Sequence, residues 1–272
     1  MTQSGCPHCN GTSIVVEPAE MFARARLCSC VPPCERCRGT GRVTVTREGV
    51  DKIARCRCRM LPDRIVMFNA ANIPARHAHA SFESFNKDLP ETMNAFLGSY
   101  RWTTRFSPKA SNRSLVLHGP VGRGKTHLLI SVVRELIFKH GVQVRFVEFS
   151  KLLADLKHGF EMGKGQSHTM GPLSRVEVLA IDELGKGRNT EWERNIVDEL
   201  VSIRYNGLKC LVATTNYTTG GPTGLDNNLS SGQVQSLTDR VGPRVYSRLT
   251  EMADFVEAKG ADYRATHLRG QG

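Results

Sequence analysis

Gly119-Pro120-Val121-Gly122-Arg123-Gly124-Lys125-Thr126, running on into His127 and LLISVVRELIFKH, decides the fold of this 272-residue chain. The octapeptide satisfies GxxxxGK[ST] and stands where that pattern has to stand. SLVLH (114–118), a short apolar run suited to a buried strand, precedes it, and a helical run follows. Glycines in such a strand–loop–helix unit let backbone N–H groups close around phosphates. Lys125 reaches the β and γ oxygens, Thr126 coordinates magnesium, and the positive end of the helix dipole favours the anion. The pattern predicts that residues 119 to 127 line a site for ATP and Mg2+.

Downstream, the chain alternates strand-like and helical stretches. VQVRFVEF (142–149) is β-branched and alternating, and a helix is expected from Ser150, as N-cap, to about Met162. Val176–Glu183 is an apolar strand ending in two acids. A carboxylate at the carboxyl end of a strand faces the nucleotide crevice, so Asp182 is expected to hold the magnesium and Glu183 to polarise a water onto the γ phosphate. An acidic turn after a core strand would carry the same residues. CLVATT (210–215) delivers Asn216 to the same crevice edge, where it orients the attacking water or merely starts a turn. Cys210 reads as a buried core residue. Strands and helices in alternation predict an α/β fold with a central parallel sheet.

At the other end of the chain, eight of the nine cysteines lie in the first 58 residues, and a shift of 28 superimposes them. Cys6, Cys9, Cys28 and Cys30 map onto Cys34, Cys37, Cys56 and Cys58; Gly11, Thr12 and Val15 map onto Gly39, Thr40 and Val43. Each unit reads CxxC, a turn, a β-prone run, a second short strand and CxC, the layout of a zinc-ribbon hairpin. Tetrahedral zinc takes four soft ligands converging from two places, so the pattern predicts two zinc ions. Ligand pairing across the units, His8 as a substitute ligand, and disulfides are the alternatives, the last disfavoured in a cytoplasmic chain. A unit this short has too little core to fold alone, and metal binding of about 10 to 16 kcal/mol per site would hold it together. The CxxCxG knuckles also resemble the cysteine-rich module of a class of chaperone, but that module has four knuckles, and here each is closed by CxC.

Thirty-seven Lys and Arg against 26 Asp and Glu give a formal charge of +11. Eight thiolates and two zinc ions would lower it to about +7, still a balance that favours polyanions. The composition excludes global disorder, a collagen-like chain and a coiled-coil rod. No apolar run approaches 18 residues, and MTQSGCPHC lacks a secretory pattern, so a soluble cytoplasmic protein without membrane contact is expected. Three regions follow: a tandem zinc-ribbon module over 1–60, a linker and lead-in helix over 61–112, and the nucleotide-binding domain over 113–272. Gly220–Gly232 reads as a mobile surface loop.

Taken in order, ANIPARHAHASF (71–82), GPVGRGKTHLL (119–129), VLAIDELGKG (178–187), TTNY (214–217), RVYSRL (244–249) and GADYR (260–264) resemble the AAA+ ATPases, and among them the bacterial replicative helicase loaders. The core resemblance spans about residues 113 to 264. It implies an ATPase that binds a replicative helicase and delivers it to single-stranded DNA, with self-association through the ATP sites. It further implies that Asn216 is the sensor of the fourth strand. Arg248 would be the finger supplied to a neighbour's γ phosphate, with Arg244 or Arg240 as substitutes. Lys151, Lys157, His158 and Lys164 match the region where related initiators contact DNA, although a solvated helix face explains them equally. Two departures stand out: the helical lid that usually follows the core is nearly absent, and some relatives have one N-terminal zinc or none. The zinc ribbons would dock the helicase. A transposon-encoded helper ATPase shares the core, and a zinc-dependent adaptor using ATP only as a structural ligand is the alternative from another class.

Overall fold

The structure, a computed structural model, describes residues 5–87, 90–108, 110–219 and 236–263. Gly220–Gly232 and Arg264 lie outside these residues. Two antiparallel hairpins come first: β1 (Ile14–Ala19) with β2 (Phe22–Leu27), then β3 (Arg42–Arg47) with β4 (Val50–Arg55). Their registers superimpose under the 28-residue shift, Ile14 opposite Leu27 and Arg42 opposite Arg55. Glu20 and Glu48 take positive φ in the two-residue loops, the backbone twist that closes a tight hairpin.

Helix α1 (Met60–Ala71) follows directly, then α2 (Met93–Arg105) and β5 (Ser114–His118). Next come α3 (Lys125–Glu135), prolonged by a π turn over Leu136–His140, β6 (Val144–Glu148), α4 (Phe149–Glu161) and α5 (Gln166–Arg175). The remainder is β7 (Val178–Asp182), α6 (Glu191–Asn206), β8 (Cys210–Thr215), α7 (Leu237–Val241), α8 (Pro243–Met252) and β9 (Ala253–Glu257). The last five strands form one sheet in the order β6-β7-β8-β5-β9, every pair parallel. Side chains alternate across it: Leu115 and Leu117 pack on the face covered by α1 and α3, Val116 on the face covered by α4 and α6. The parallel α/β core expected from the sequence is therefore present. His118, Asp182 and Thr215 all arrive at the same carboxyl edge, where open α/β sheets bind ligands.

Two local readings are corrected. The stretch expected as a linker begins with α1, which is packed rather than free: Phe68 is buried and stacks on Phe138 at 5.0 Å, and Arg64 donates to the Phe138 carbonyl at 2.6 Å. Ribbon and core hold α1 from two sides, so it lacks the single apolar stripe that would reveal a helix. Ser150 is not the N-cap of α4. The helix starts at Phe149, with Glu148 as cap residue, and the Ser150 hydroxyl donates to the Glu148 carboxylate at 3.0 Å.

Candidate functional site

Gly119, Gly122 and Gly124 all take positive φ, and the space a Cβ would need is taken at each. The Ala258 carbonyl stands against Gly119, the Asp262 carboxylate against Gly122, and the Phe85 ring, 2.8 Å from the Cβ position, against Gly124. Only glycine permits this loop. The buried Lys125 ammonium donates to the carbonyls of Gly119 and Pro120 at 2.7 and 2.6 Å. Backbone N–H of Tyr263 donates to the Gly122 carbonyl at 3.0 Å, so the segment after β9 straps the loop from outside.

Thr126, at the start of α3, donates to both carboxylate oxygens of Asp182, at 3.0 and 3.1 Å. Thr214 on β8 donates to the same carboxylate at 2.6 Å and accepts from the Glu183 N–H at 2.9 Å. Burial pushes the Asp182 carboxyl up, against the pull of the two hydroxyl donors. Glu183 holds a left-handed backbone, φ 57°, pinned by the Leu184 N–H on the Thr214 carbonyl at 2.7 Å. Its carboxylate pairs with Lys186 at 2.5 Å. Lys125, Thr126, Glu183, Thr214 and Asn216 face one cleft of about 350 Å³.

The residues suit the groups the sequence implies. Hydroxyl and carboxylate oxygens, the donors magnesium takes, meet at Thr126 and Asp182. Arg123 lies on the cleft wall with its Nη1 buried and without a partner among the described residues, a cationic donor that a phosphate oxygen would satisfy. Val121 is exposed at the loop's tip. His127 also lines the cleft, but its Nε2 lies 2.8 Å from the Ser81 carbonyl and its ring packs edge-on to Phe85. It holds segment 81–85 against the loop, and burial lowers its pKa.

The eight ribbon thiols converge within each repeat. Cys6, Cys9, Cys28 and Cys30 form one group, and Cys34, Cys37, Cys56 and Cys58 the other, with ligand atoms within 4.8 Å of one another. Four sulfurs from a CxxC and a CxC are the donor set of a structural zinc site, so each group could hold one ion. Backbone N–H groups of His8 and then Cys9 draw the Cys6 thiol down to about 6, toward the thiolate that a metal needs.

A family model described as IstB-like ATP binding protein matches residues 54–270. The chain belongs to this family of IstB-like ATP-binding proteins. It is 25% identical to the replicative helicase loader DnaC of Escherichia coli K12 over 183 residues, 67% of each chain. It is also 31% identical over 168 residues to a putative ATP-binding protein in an insertion sequence of Mycobacterium tuberculosis, 60% of this chain and 63% of that one. The crystal structure of the DnaC helicase loader superposes with a TM-score of 0.57 at 27% identity, covering 68% of this chain and 99% of that one. The AAA+ core is the part shared.

Within this IstB-like domain, the arginines at the far end of the sequence pattern take unequal places. Arg248, only 18% exposed, donates to Asp198 at 2.9 Å and to Ser202 on α6, and lies over the Tyr205 ring. That inward placement is not the outward one expected of a finger. Arg244, 72% exposed and 3.8 Å from Asp198, is freer. Arg240 is buried and donates to the carbonyls of Gly185 and Gly187, behind Glu183. Sequence reasoning missed Thr214, Lys186 and this role of Arg240. Thr214 alone carried a signal, as the hydroxyl two places before Asn216.

Proposed function

We propose that this protein is an ATP-hydrolysing loader that binds a replicative helicase and delivers it to single-stranded DNA. The observation that carries the reading is the assembled set at the carboxyl edge of the sheet: loop, Lys125, Thr126, Glu183 and Asn216 around one cleft, with Asp182 behind Thr126 as its hydrogen-bond partner, on a core resembling the DnaC loader over 99% of that structure. Lys125 and the loop N–H groups hold the triphosphate. Thr126 and Asp182 hold magnesium, which when bound neutralises phosphate charge. Glu183, once released from Lys186, accepts the proton of a water that Asn216 orients; the water oxygen bonds to the γ phosphorus as its bond to the β–γ bridging oxygen breaks, leaving phosphate and ADP. An arginine from a neighbouring subunit would complete the site and make turnover depend on self-association; Arg248 serves only if it leaves Asp198, and Arg244 is better exposed for the task.

Lys157 on α4 and Lys164 just after it are exposed, as is Phe160 on α4, so this segment offers both cations and a ring, which suits a single strand. Lys157 also lies over Trp192, so this face is partly self-engaged. A second reading, a transposition helper acting on duplex DNA, is favoured by the insertion-sequence relative. ATP turnover with and without single-stranded DNA and the host's replicative helicase, together with co-purification of that helicase, tests the proposal. Turnover that falls to background in Glu183→Gln, and helicase retained in the ATP state, are expected. Unchanged turnover in that variant would remove the catalytic assignment, and retention of a transposase instead of the helicase would favour the second reading.

A further inference from the structure

The repeat supplies an internal template for a surface it leaves open. In the first ribbon the outer edge of β2 is already paired. Ala23 N–H donates to the Ile73 carbonyl at 2.8 Å, Ala75 N–H to the Met21 carbonyl at 3.0 Å, and Phe22 and Pro74 bridge in antiparallel sense. Asn69 completes the edge, accepting from Ala25 N–H at 2.7 Å and donating to the Ala25 carbonyl at 3.0 Å. The segment Ile73–Ala75 is thus a short third strand added to that hairpin.

Under the 28-residue shift, Met21, Ala23 and Ala25 become Gly49, Asp51 and Ile53. Register is the same in both hairpins, so the N–H and C=O groups of Asp51 and Ile53 point outward as those of Ala23 and Ala25 do. Among the described residues, none of these three makes a main-chain hydrogen bond beyond its own hairpin. Where the first repeat has a buried alanine, the second has Ile53, 75% exposed. Charge diverges as well. Residues 34–59 hold eight Lys or Arg against three Asp or Glu, whereas the matching residues 6–31 hold two of each. Arg42 and Arg55 stand directly opposite on the two strands, a like-charge pair that destabilises a hairpin and is relieved by an anion. Arg55 is partly spoken for by Asp63.

We propose that the outer edge of β4 receives an extended acidic segment of a partner protein by strand addition, in the manner of Ile73–Ala75 on β2. Main-chain groups of the partner pair with Asp51 and Ile53, one apolar side chain lies on Ile53, and acidic side chains reach Arg42 and Arg55. A nucleic acid would satisfy the arginines but not the alternating N–H and C=O groups. The inference does not depend on the partner being a helicase.

The test uses the zinc-loaded full chain and a fluorescent peptide carrying Asn-Ile-Pro-Ala between Asp/Glu flanks, read by anisotropy. Saturable binding is expected, weakened at least tenfold by Ile53→Ser, which leaves charge unchanged. Asp51→Pro is expected to weaken it similarly although it removes a negative charge, because it removes an outward N–H. Two zinc ions per chain in each variant confirm that the hairpin persists; if Asp51→Pro loses one, Ile53→Ser decides alone. Equal binding by wild type and Ile53→Ser overturns the proposal. So does a single-stranded oligonucleotide that binds the β4 edge while the peptide does not.

Discussion

At Asp182 the fold places a carboxylate where its charge is costly without a metal. It is buried at the end of a wholly buried strand, with two hydroxyl donors that offset only part of the lost hydration, so its folded pKa is raised. A carboxyl whose folded pKa exceeds its unfolded value favours the native state at low pH, and that contribution is lost as pH rises through the folded pKa. Asp182→Asn keeps an oxygen for Thr126 and Thr214 but carries no charge. The metal-free variant is therefore expected to be more stable than wild type at pH 8, with a higher melting midpoint. The gain should shrink on acidification, and ATP turnover should fall to background. Melting curves across pH check it; a variant less stable than wild type at pH 8 would contradict the account.

Among the elements, α7 does more than its five residues suggest. A capping box between Ser236 and Asp239 fixes its start, and Arg240 at its end lies over the Tyr217 ring at 5.1 Å while holding the carbonyls of Gly185 and Gly187. One side chain thereby ties α7 to the loop that carries Glu183 through its left-handed turn. Arg240→Ala is expected to lower kcat by about 100-fold, the low end of what general acid–base groups contribute, and to leave KM for ATP nearly unchanged, because the Lys125 wall is untouched. Equal losses in binding and turnover would point instead to collapse of the cleft. Such roles are hard to read from sequence. The phosphate loop, β7 with Asp182 and the cysteine units were legible because their chemistry is written in local spacing. Arg240, Arg244 and Arg248 look alike in RVGPRVYSR; only the packing of α8 on α6 turns Arg248 toward Asp198. Helix α1 was illegible for a related reason, since ribbon and core claim different sides of it.

At the scale of the whole molecule, the two ribbons are equal in ligands and unequal in consequence. Ala23 and Ala25 of the first are buried in the same apolar cluster as Phe68, Ile73, Leu115 and Leu117, with Ile14 and Val16 packed against it. Among the described residues, the strands of the second contribute nothing buried to that cluster, and Val50 and Ile53 stand in solvent. With zinc held by both cysteine groups, losing it from the first hairpin would uncover part of the nucleotide-binding core, whereas losing it from the second would unfold that hairpin alone. Cys9→Ser is expected to cost the nucleotide domain about 2 kcal/mol, the burial of roughly one large apolar side chain, and to lower its melting midpoint by ~4 to 8 °C. Cys37→Ser should release one zinc ion as well, yet leave that midpoint and ATP binding where they are. Zinc stoichiometry and calorimetry on the two variants decide the matter: equal destabilisation by both would mean that the second ribbon, too, is built into the core.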